Sequence, residues 1–325
     1  MAESLQVIQT PVAPFLAEFE QLFKSSQGTH VPLIREALEH LAQSPGKHIR
    51  PTLTGLCALL CSGSYNSKTI AAATVLELLH TASLVHDDVI DKATVRRFTP
   101  TLNHLYGNNI AVLTGDYIVA NALSIASEQL DIEVVQLLAN VTKLLSEGEL
   151  LQMDLTRRHT STQAEYLQVI ERKTASLFSA ASFLGAHSVS ASPGEQEQCR
   201  EIGRLIGMAF QMQDDILDYQ GTQSGKKRGI DLQEGKRTLP LIHALSTAEP
   251  QKCREVEDIL LKDAVGPQDV AFIIQFVEQA GGVAYTHQVL EQYLSQACRL
   301  IERFPAGEAQ DSLLELTRFI ALRSF

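Results

Sequence analysis

The sequence predicts an all-α protein, and three observations lead there. Apolar residues recur at three- and four-residue intervals through most of the chain. Alternation of β-branched and polar residues never persists long enough to make a strand. Polar or Gly/Pro breaks such as Ser25-Ser26-Gln27-Gly28, Ser44-Pro45-Gly46, Gly281-Gly282 and Pro305-Ala306-Gly307 fall at helix-length intervals.

Taken in order, the periodicity predicts helices over 4–24, 31–43, 49–62 and 67–92. Further helices are expected over 108–128, 131–156, 163–189, 194–219, 237–247, 251–263, 267–280, 282–304 and 308–323, with Pro267 suited to a first turn. No stretch has linker composition and no tandem repeat appears. The chain therefore reads as one domain over 1–325, with residues 1–30 expected to be peripheral. Gln220–Gly235 (QGTQSGKKRGIDLQEG) interrupts the helices with four glycines and the basic run Lys226-Lys227-Arg228. Rich in glycine, basic and next to an acidic motif, it reads as a mobile lid over a phosphate ligand.

Composition narrows the function. The 325 residues are 45% hydrophobic and carry 38 acidic against 27 basic side chains, a net charge of −11. That balance argues against a nucleic-acid surface, which needs a basic stripe. The cysteines Cys57, Cys61, Cys199, Cys253 and Cys298 are odd in number and lack CxxC spacing, and the N-terminal residues do not read as a secretory signal. A reduced, cytoplasmic setting is expected. Cys57 and Cys61 share a helix face and read as small core residues. No apolar run is expected to approach the roughly 18 residues of a membrane span.

The informative stretch is Leu76–Arg97, LELLHTASLVHDDVIDKATVRR, which sets Asp87, Asp88 and Asp91 inside a segment that is otherwise a buried helix. Asp87 and Asp91 are four apart, so their carboxylates share a helix face. Like charges there repel and are costly to bury unpaired, so something cationic belongs between them. The pattern returns at Asp214, Asp215 and Asp218. Carboxylate oxygens without nitrogen or sulfur partners select a hard cation such as Mg²⁺, which binds through a few carboxylates plus substrate phosphates. Two such helices facing each other would hold a diphosphate. Anion partners surround the motifs: Lys47 and Arg50, Arg96 and Arg97, His80 two turns before Asp87, Lys173 with Thr174, Gln211, and Lys236.

In this context the chain resembles the trans-isoprenyl (polyprenyl) diphosphate synthases. The landmarks occur in order: GKHIRP (46–51), HDDVID (86–91), RR (96–97), GD (115–116), EGELLQ (147–152), KTASLF (173–178), FQMQDDILD (210–218) and DLQEGKRTLP (231–240). The resemblance implies an isoprenoid synthase helical fold around a deep central cavity, usually as a homodimer. It implies that Asp87, Asp91 and Asp214 ligate Mg²⁺ (with Mn²⁺ able to substitute), and that Asp88, Asp215 and Asp218 are ligands or support them. Arg96, Lys173 and Lys236 would help hold the diphosphate of an allylic substrate: geranyl, farnesyl or geranylgeranyl diphosphate. Lys47, Arg50, His80 and Arg97 would bind isopentenyl diphosphate, while Lys173, Thr174 and Gln211 face the developing cation. The chain departs from the family's usual residues at His48, where Arg is common, and at Phe98, where Gly follows the arginine pair. Which of Lys226 and Lys227 matches the family's lid lysine is left open.

The helix bearing Asp87 is expected to wall the elongation cavity. One turn back from Asp87 stand Ser83 and Ala82, where relatives making short products commonly carry an aromatic. Both are small here, and Leu79 and Leu76 further back narrow a tunnel without filling it. At about 1.5 Å per residue, 68–87 spans roughly 30 Å. A product beyond C20, of the kind used for quinone side chains, is expected, with transient membrane contact for its release. A terpene cyclase of the same fold usually lacks a second aspartate motif and the Lys47/Arg50 site. A non-catalytic partner subunit typically loses one motif, and a helical scaffold would not explain six aspartates in mid-helix.

Overall fold

The computed structural model describes residues 2–43, 46–96, 98–221, 228–262 and 264–322. Helix α1 (Ala2–Gln9) passes through a 3₁₀ turn (Thr10–Val12) into α2 (Ala13–Ser25), followed by α3 (Pro32–Ala42), α4 (Ile49–Ser62) and α5 (Ser67–Ile90). A two-residue antiparallel ribbon, β1 (Val95–Arg96) on β2 (Thr99–Pro100), leads into α6 (Leu102–Tyr106), α7 (Asn108–Gln129), α8 (Ile132–Arg158) and α9 (Gln163–Ile170). A π-helical turn (Glu171–Ala175) joins α9 to α10 (Ser176–Ser188). The chain finishes with α11 (Pro193–Gln220), α12 (Ile230–Gln233), α13 (Leu239–Thr247), α14 (Pro250–Leu260), α15 (Pro267–Gln279), α16 (Gly282–Ile301) and α17 (Glu308–Leu322).

The expectation of an all-α isoprenoid synthase architecture holds, and its centre is α5. This helix is apolar on nearly every side, and Ala71, Ala72, Val75, Leu76, Leu78, Leu79 and Ala82 are all buried in the main core. A helix without a polar face has to be surrounded, and α2, α4, α7 and α10 pack around it. Its start is fixed by Asn66, whose side chain accepts from the N–H groups of Lys68 and Thr69 while Thr69 Oγ1 accepts from the Asn66 N–H. The second central helix, α11, starts on a similar reciprocal cap between Ser192 and Glu195 and packs on α10 and α16. A smaller core gathers Tyr219, Leu232, Leu241, Val256, Ile273 and Val277 under the end of α11.

Contrary to a peripheral N-terminus, α1 and α2 contribute to the main core. Ile8, Val12, Phe15 and Phe19, spaced as one helical stripe, are fully buried in the main core. Gln9 also reaches the first landmark segment, donating to the Lys47 carbonyl (3.2 Å) and to Thr52 Oγ1 (2.9 Å).

Two helices, α5 and α7, are long and apolar enough to cross a membrane by length and composition, contrary to the sequence expectation. In α5 this follows from its place in the core, with 67% of the apolar window buried. In α7 only 39% is buried, and Val112, Leu113 and Leu123 are exposed.

Candidate active site

The end of α5 divides two environments. Consecutive residues are about 100° apart round a helix, so Asp87 and Asp88 look to different sides. Asp88 is buried and accepts from Arg96 Nε at 2.8 Å. Burial raises its carboxyl and Arg96 pulls it back down. Both residues border a cavity of about 590 Å³ that α5 lines with Glu77, His80 and Leu84. Across it lie His48 and the helices α2 and α3. Asp87 lies near Lys173 instead: burial pushes its carboxyl up to about 6, against the pull of the ammonium and with a further push from Glu149 and Asp91. Asp91 caps the C-terminus of α5, 3.7 Å from Lys236 Nζ.

The GD landmark seats this end of α5. A Cβ on Gly115 would stand 2.3 Å from His86 Nε2, so glycine makes the space that the His86 ring occupies against α7. His86 then contacts the Val112 carbonyl (3.2 Å) and Asp116 (3.5 Å).

The second motif is held from below. Asp215 is buried, accepting from Tyr166 Oη (2.6 Å) and Gln211 Nε2 (2.9 Å), and Gln211 Oε1 accepts from Thr174 Oγ1 (2.7 Å). Burial, then the nearby Asp231, raise the Asp215 carboxyl well above the usual carboxylate range. Asp218 accepts the backbone N–H groups of Ile230 (3.0 Å) and Asp231 (3.1 Å), tying the end of α11 to the start of α12. Asp214 stands half-buried beside Asp215 and Asp231.

Lys173 and Thr174 belong to the π turn, an irregularity that concentrates at functional sites. Two glycines bring flanking helices onto it. A Cβ on Gly148 of α8 would lie 3.0 Å from the Lys173 nitrogen, and one on Gly207 of α11 would lie 2.6 Å from Ala175 Cα. Lys173 pairs with Glu149 and donates to Gln152 Oε1 (3.3 Å). Lys236, following α12, pairs with Glu234 (2.6 Å) and reaches Asp91. Burial works against its charge, but Asp231, Glu234 and Asp91 hold its ammonium above the normal lysine range. Lys173, Thr174, Gln211, Asp215 and Lys236 thus converge on one small pocket of about 130 Å³.

Arg50 opens α4 with its guanidinium over the Phe178 ring, 4.7 Å from the centroid. His48, at the N-cap of α4, has φ +50, a region histidine enters more readily than most residues. Its ring meets Phe19 and lies 3.8 Å from Glu20. Phe98 has φ +66 and is 85% exposed, so the usual glycine at that position has a backbone reason. Arg97, Lys226 and Lys227 lie outside the described residues, as does the stretch 222–227 of the expected lid. Ala82 and Leu79 are packed in the main core, and Ser83 turns its hydroxyl to the His80 carbonyl (2.8 Å). The open volume beside α5 therefore lies on a different helix face from these three.

Among the described residues, no three Asp, Glu, His or Cys side chains converge closely enough to hold a metal by themselves. The groups that meet are carboxylate oxygens with the ammonium groups of Lys173 and Lys236 between them. That donor set fits a hard cation sharing phosphate oxygens with the protein, and does not fit an all-protein cage.

Three residues of this network were not singled out from sequence. Glu149 and Asp231 sit inside landmark segments, EGELLQ and DLQEGKRTLP, which could have flagged them. Burial, then Asp218, push the Asp231 carboxyl up to about 7, against Lys236. Tyr166 has no local sequence signal.

The profile of the polyprenyl synthetase family matches residues 31–277. This chain belongs to that family. The all-trans-nonaprenyl-diphosphate synthase (geranyl-diphosphate specific) of Rhodobacter capsulatus is 32% identical over 317 residues, 96% of each chain. A crystal structure of a decaprenyl diphosphate synthase from the same organism superposes with a TM-score of 0.92 at 30% identity, covering 99% of both chains. A polyprenyl synthase from Caulobacter crescentus, complexed with calcium and isoprenyl diphosphate, gives the same TM-score and identity over 99% of this chain and 98% of that one. As a polyprenyl synthetase the chain is a prenyltransferase of the all-α fold.

Proposed function

We propose that this polyprenyl synthetase condenses isopentenyl diphosphate head-to-tail onto an allylic diphosphate, making an all-trans polyprenyl diphosphate beyond C20. The observation that carries the reading is the division of labour at the end of α5. Asp87 and Asp91 look toward Lys173 and Lys236, and through Lys236 toward Asp231 and Asp214. Asp88 and His80 border a separate cavity, and Arg96, paired with Asp88 at its edge, also acts on Asp87. Two diphosphates need two anion sites that are adjacent but distinct, and α5 stands between two such environments.

Asp87, Asp91 and Asp214 would hold Mg²⁺, with Mn²⁺ as a substitute. Asp88, Asp215 and Asp218 keep those helices in place through Arg96, Tyr166 and the start of α12. Mg²⁺, when bound, supplies positive charge against the allylic diphosphate and so makes it a good leaving group. Lys173, Lys236 and Arg96 add fixed positive charge to the same end. Lys47, Arg50, His80 and Arg97 orient isopentenyl diphosphate across α5, so that its double bond reaches the cationic carbon. Thr174 and Gln211, already hydrogen-bonded to each other, present dipoles to that carbon. The departing diphosphate can take the final proton, so no protein base is required. Water has to be kept out of the site to spare the cation.

The long product rests on the small side chains of Ala82 and Ser83 one turn before Asp87, where no aromatic stands to block a tail, and on the nonaprenyl and decaprenyl names of the relatives. It suits a quinone side chain. Residues 1–325 form one domain in this reading, since the N-terminal helices complete the core. A homodimer is included because α7 and α8 expose Val112, Leu113, Leu123, Leu150 and Met153. The protein is placed in the cytoplasm, touching a membrane only to release product.

The experiment is incorporation of labelled isopentenyl diphosphate by the purified protein with geranyl, farnesyl or geranylgeranyl diphosphate. Activity should require Mg²⁺, disappear with a chelator and return when Mg²⁺ is restored. Incorporation unaffected by exhaustive chelation would refute the metal assignment. No incorporation with any starter would refute the activity.

A further inference from the structure

Away from the active site, α4 and α11 bring three cysteines together. Cys57 and Cys61 are one turn apart on α4, and Cys199 stands opposite them near the start of α11. The Sγ atoms of Cys61 and Cys199 are 3.8 Å apart, and Cys57 lies near enough to act on the Cys199 thiol. Cys57 and Cys199 are fully buried, whereas Cys61 is partly open to solvent. The three do not form a metal-holding group. The remaining cysteines are elsewhere: Cys253 points at the Leu245 carbonyl, and Cys298 at Thr317.

We propose that Cys61 and Cys199 are an oxidation site at which a hydroperoxide closes a reversible disulfide. Cys61 is the attacking thiol because an oxidant can reach it. The hydrogen bond from Cys199 also lowers its pKa from the ordinary thiol value, against burial and the nearby Glu195, and so favours the thiolate. The thiolate attacks one peroxide oxygen and breaks the O–O bond. With one proton taken up, this gives a sulfenic acid at Cys61 and releases water. The Cys199 thiol then attacks the Cys61 sulfur, expelling the second water and forming the S–S bond. Two thiols are oxidised and one peroxide is reduced. The sulfurs must approach by roughly 1.8 Å to reach bonding distance. Disulfides of this kind in a reducing compartment are transient and responsive rather than structural. This one would tie the helix that begins with Arg50 to the helix that carries the second aspartate motif.

The test is peptide mapping of the reduced, full-length protein titrated with hydrogen peroxide and quenched with N-ethylmaleimide. The expected result is a Cys61–Cys199 linked peptide, lighter by two hydrogens, that forms near one equivalent of peroxide. It should precede oxidation of Cys253 and Cys298 and be reversed by dithiothreitol. Cys57→Ser should keep the link, and Cys61→Ser should abolish it; the wild-type map stands even if a variant folds poorly. The oxidised protein should also show a higher urea midpoint, because the cross-link constrains the unfolded chain. Conversion of Cys61 to sulfinic acid while Cys199 stays alkylatable would overturn the proposal. So would oxidation of all five cysteines at one rate.

Discussion

Tyr166 on α9 donates a 2.6 Å hydrogen bond to Asp215 on α11, and both side chains are buried. The bond holds the second aspartate motif from beneath, while Gln211 holds the other oxygen and is itself held by Thr174. Tyr166→Phe leaves the ring and removes the donor. The expected loss is about 1–3 kcal/mol in stability, read from the denaturant midpoint at constant slope. The Mg²⁺ concentration for half-maximal activity should rise while the KM for isopentenyl diphosphate stays near wild type. An unchanged Mg²⁺ dependence would show that Asp215 is positioned without this phenol.

Phe98 occupies a left-handed backbone position with its ring in solvent. A side chain there costs about 1–2 kcal/mol, and glycine gives back part of that through the unfolded chain. Phe98→Gly should therefore stabilise the protein by up to about 1 kcal/mol. Chemical denaturation of the two proteins side by side measures it. A loss of stability would mean that the ring makes a contact outweighing the strain.

Gly203 lets α11 lie against α10: an added Cβ would be 2.3 Å from the Phe178 carbonyl oxygen and 2.4 Å from Ser182 Oγ. The first of these is backbone and cannot swing away. Gly203→Ala should cost about 3 kcal/mol or more and spread the two helices. Because α10 continues from Lys173 and Thr174 and α11 carries Gln211, activity should fall along with the melting temperature. Unchanged thermal unfolding would show that the helices separate freely.

Asp131 caps α8, accepting from the Val134 N–H (3.1 Å), and meets His187 Nε2 at 3.0 Å. Burial opposes its ionisation, but His187 and the Val134 N–H outweigh that and hold the carboxyl below the usual range. A depressed folded pKa stabilises above the unfolded value, near pH 4, and that stability is lost as the pH falls through the folded value. The group is exposed enough that the effect should stay below about 1 kcal/mol. Urea midpoints between pH 2 and 5 should fall less steeply in Asp131→Asn than in wild type, and parallel curves would contradict this.

Much of this was legible in the chain itself. Helices with a 3.6-residue period and a Gly or Pro at a boundary emerged near their expected limits, as Ile49–Ser62 before Gly63 and Pro267–Gln279 illustrate. The aspartate motifs were visible because six carboxylates in apolar helices violate ordinary burial. What escaped was set by packing. The π turn at 171–175 lies inside an unbroken helical pattern, and only the approach of Gly148 and Gly207 marks it. Tyr166 meets Asp215 across 49 residues of sequence. The stripe Ile8, Val12, Phe15, Phe19 falls within the predicted helix 4–24, but nothing local says which surface that face packs against.

The central claim is the long product, and resolving chain lengths measures it most directly. The purified protein, given farnesyl diphosphate, excess isopentenyl diphosphate and Mg²⁺, should yield all-trans products beyond C20. Ala82→Phe should shorten them by placing an aromatic ring one turn before Asp87. An unchanged length in that variant would send the tail along another face of α5, such as the one lined by Glu77 and Leu84. Wild-type product that stops at C15 or C20 would contradict the account.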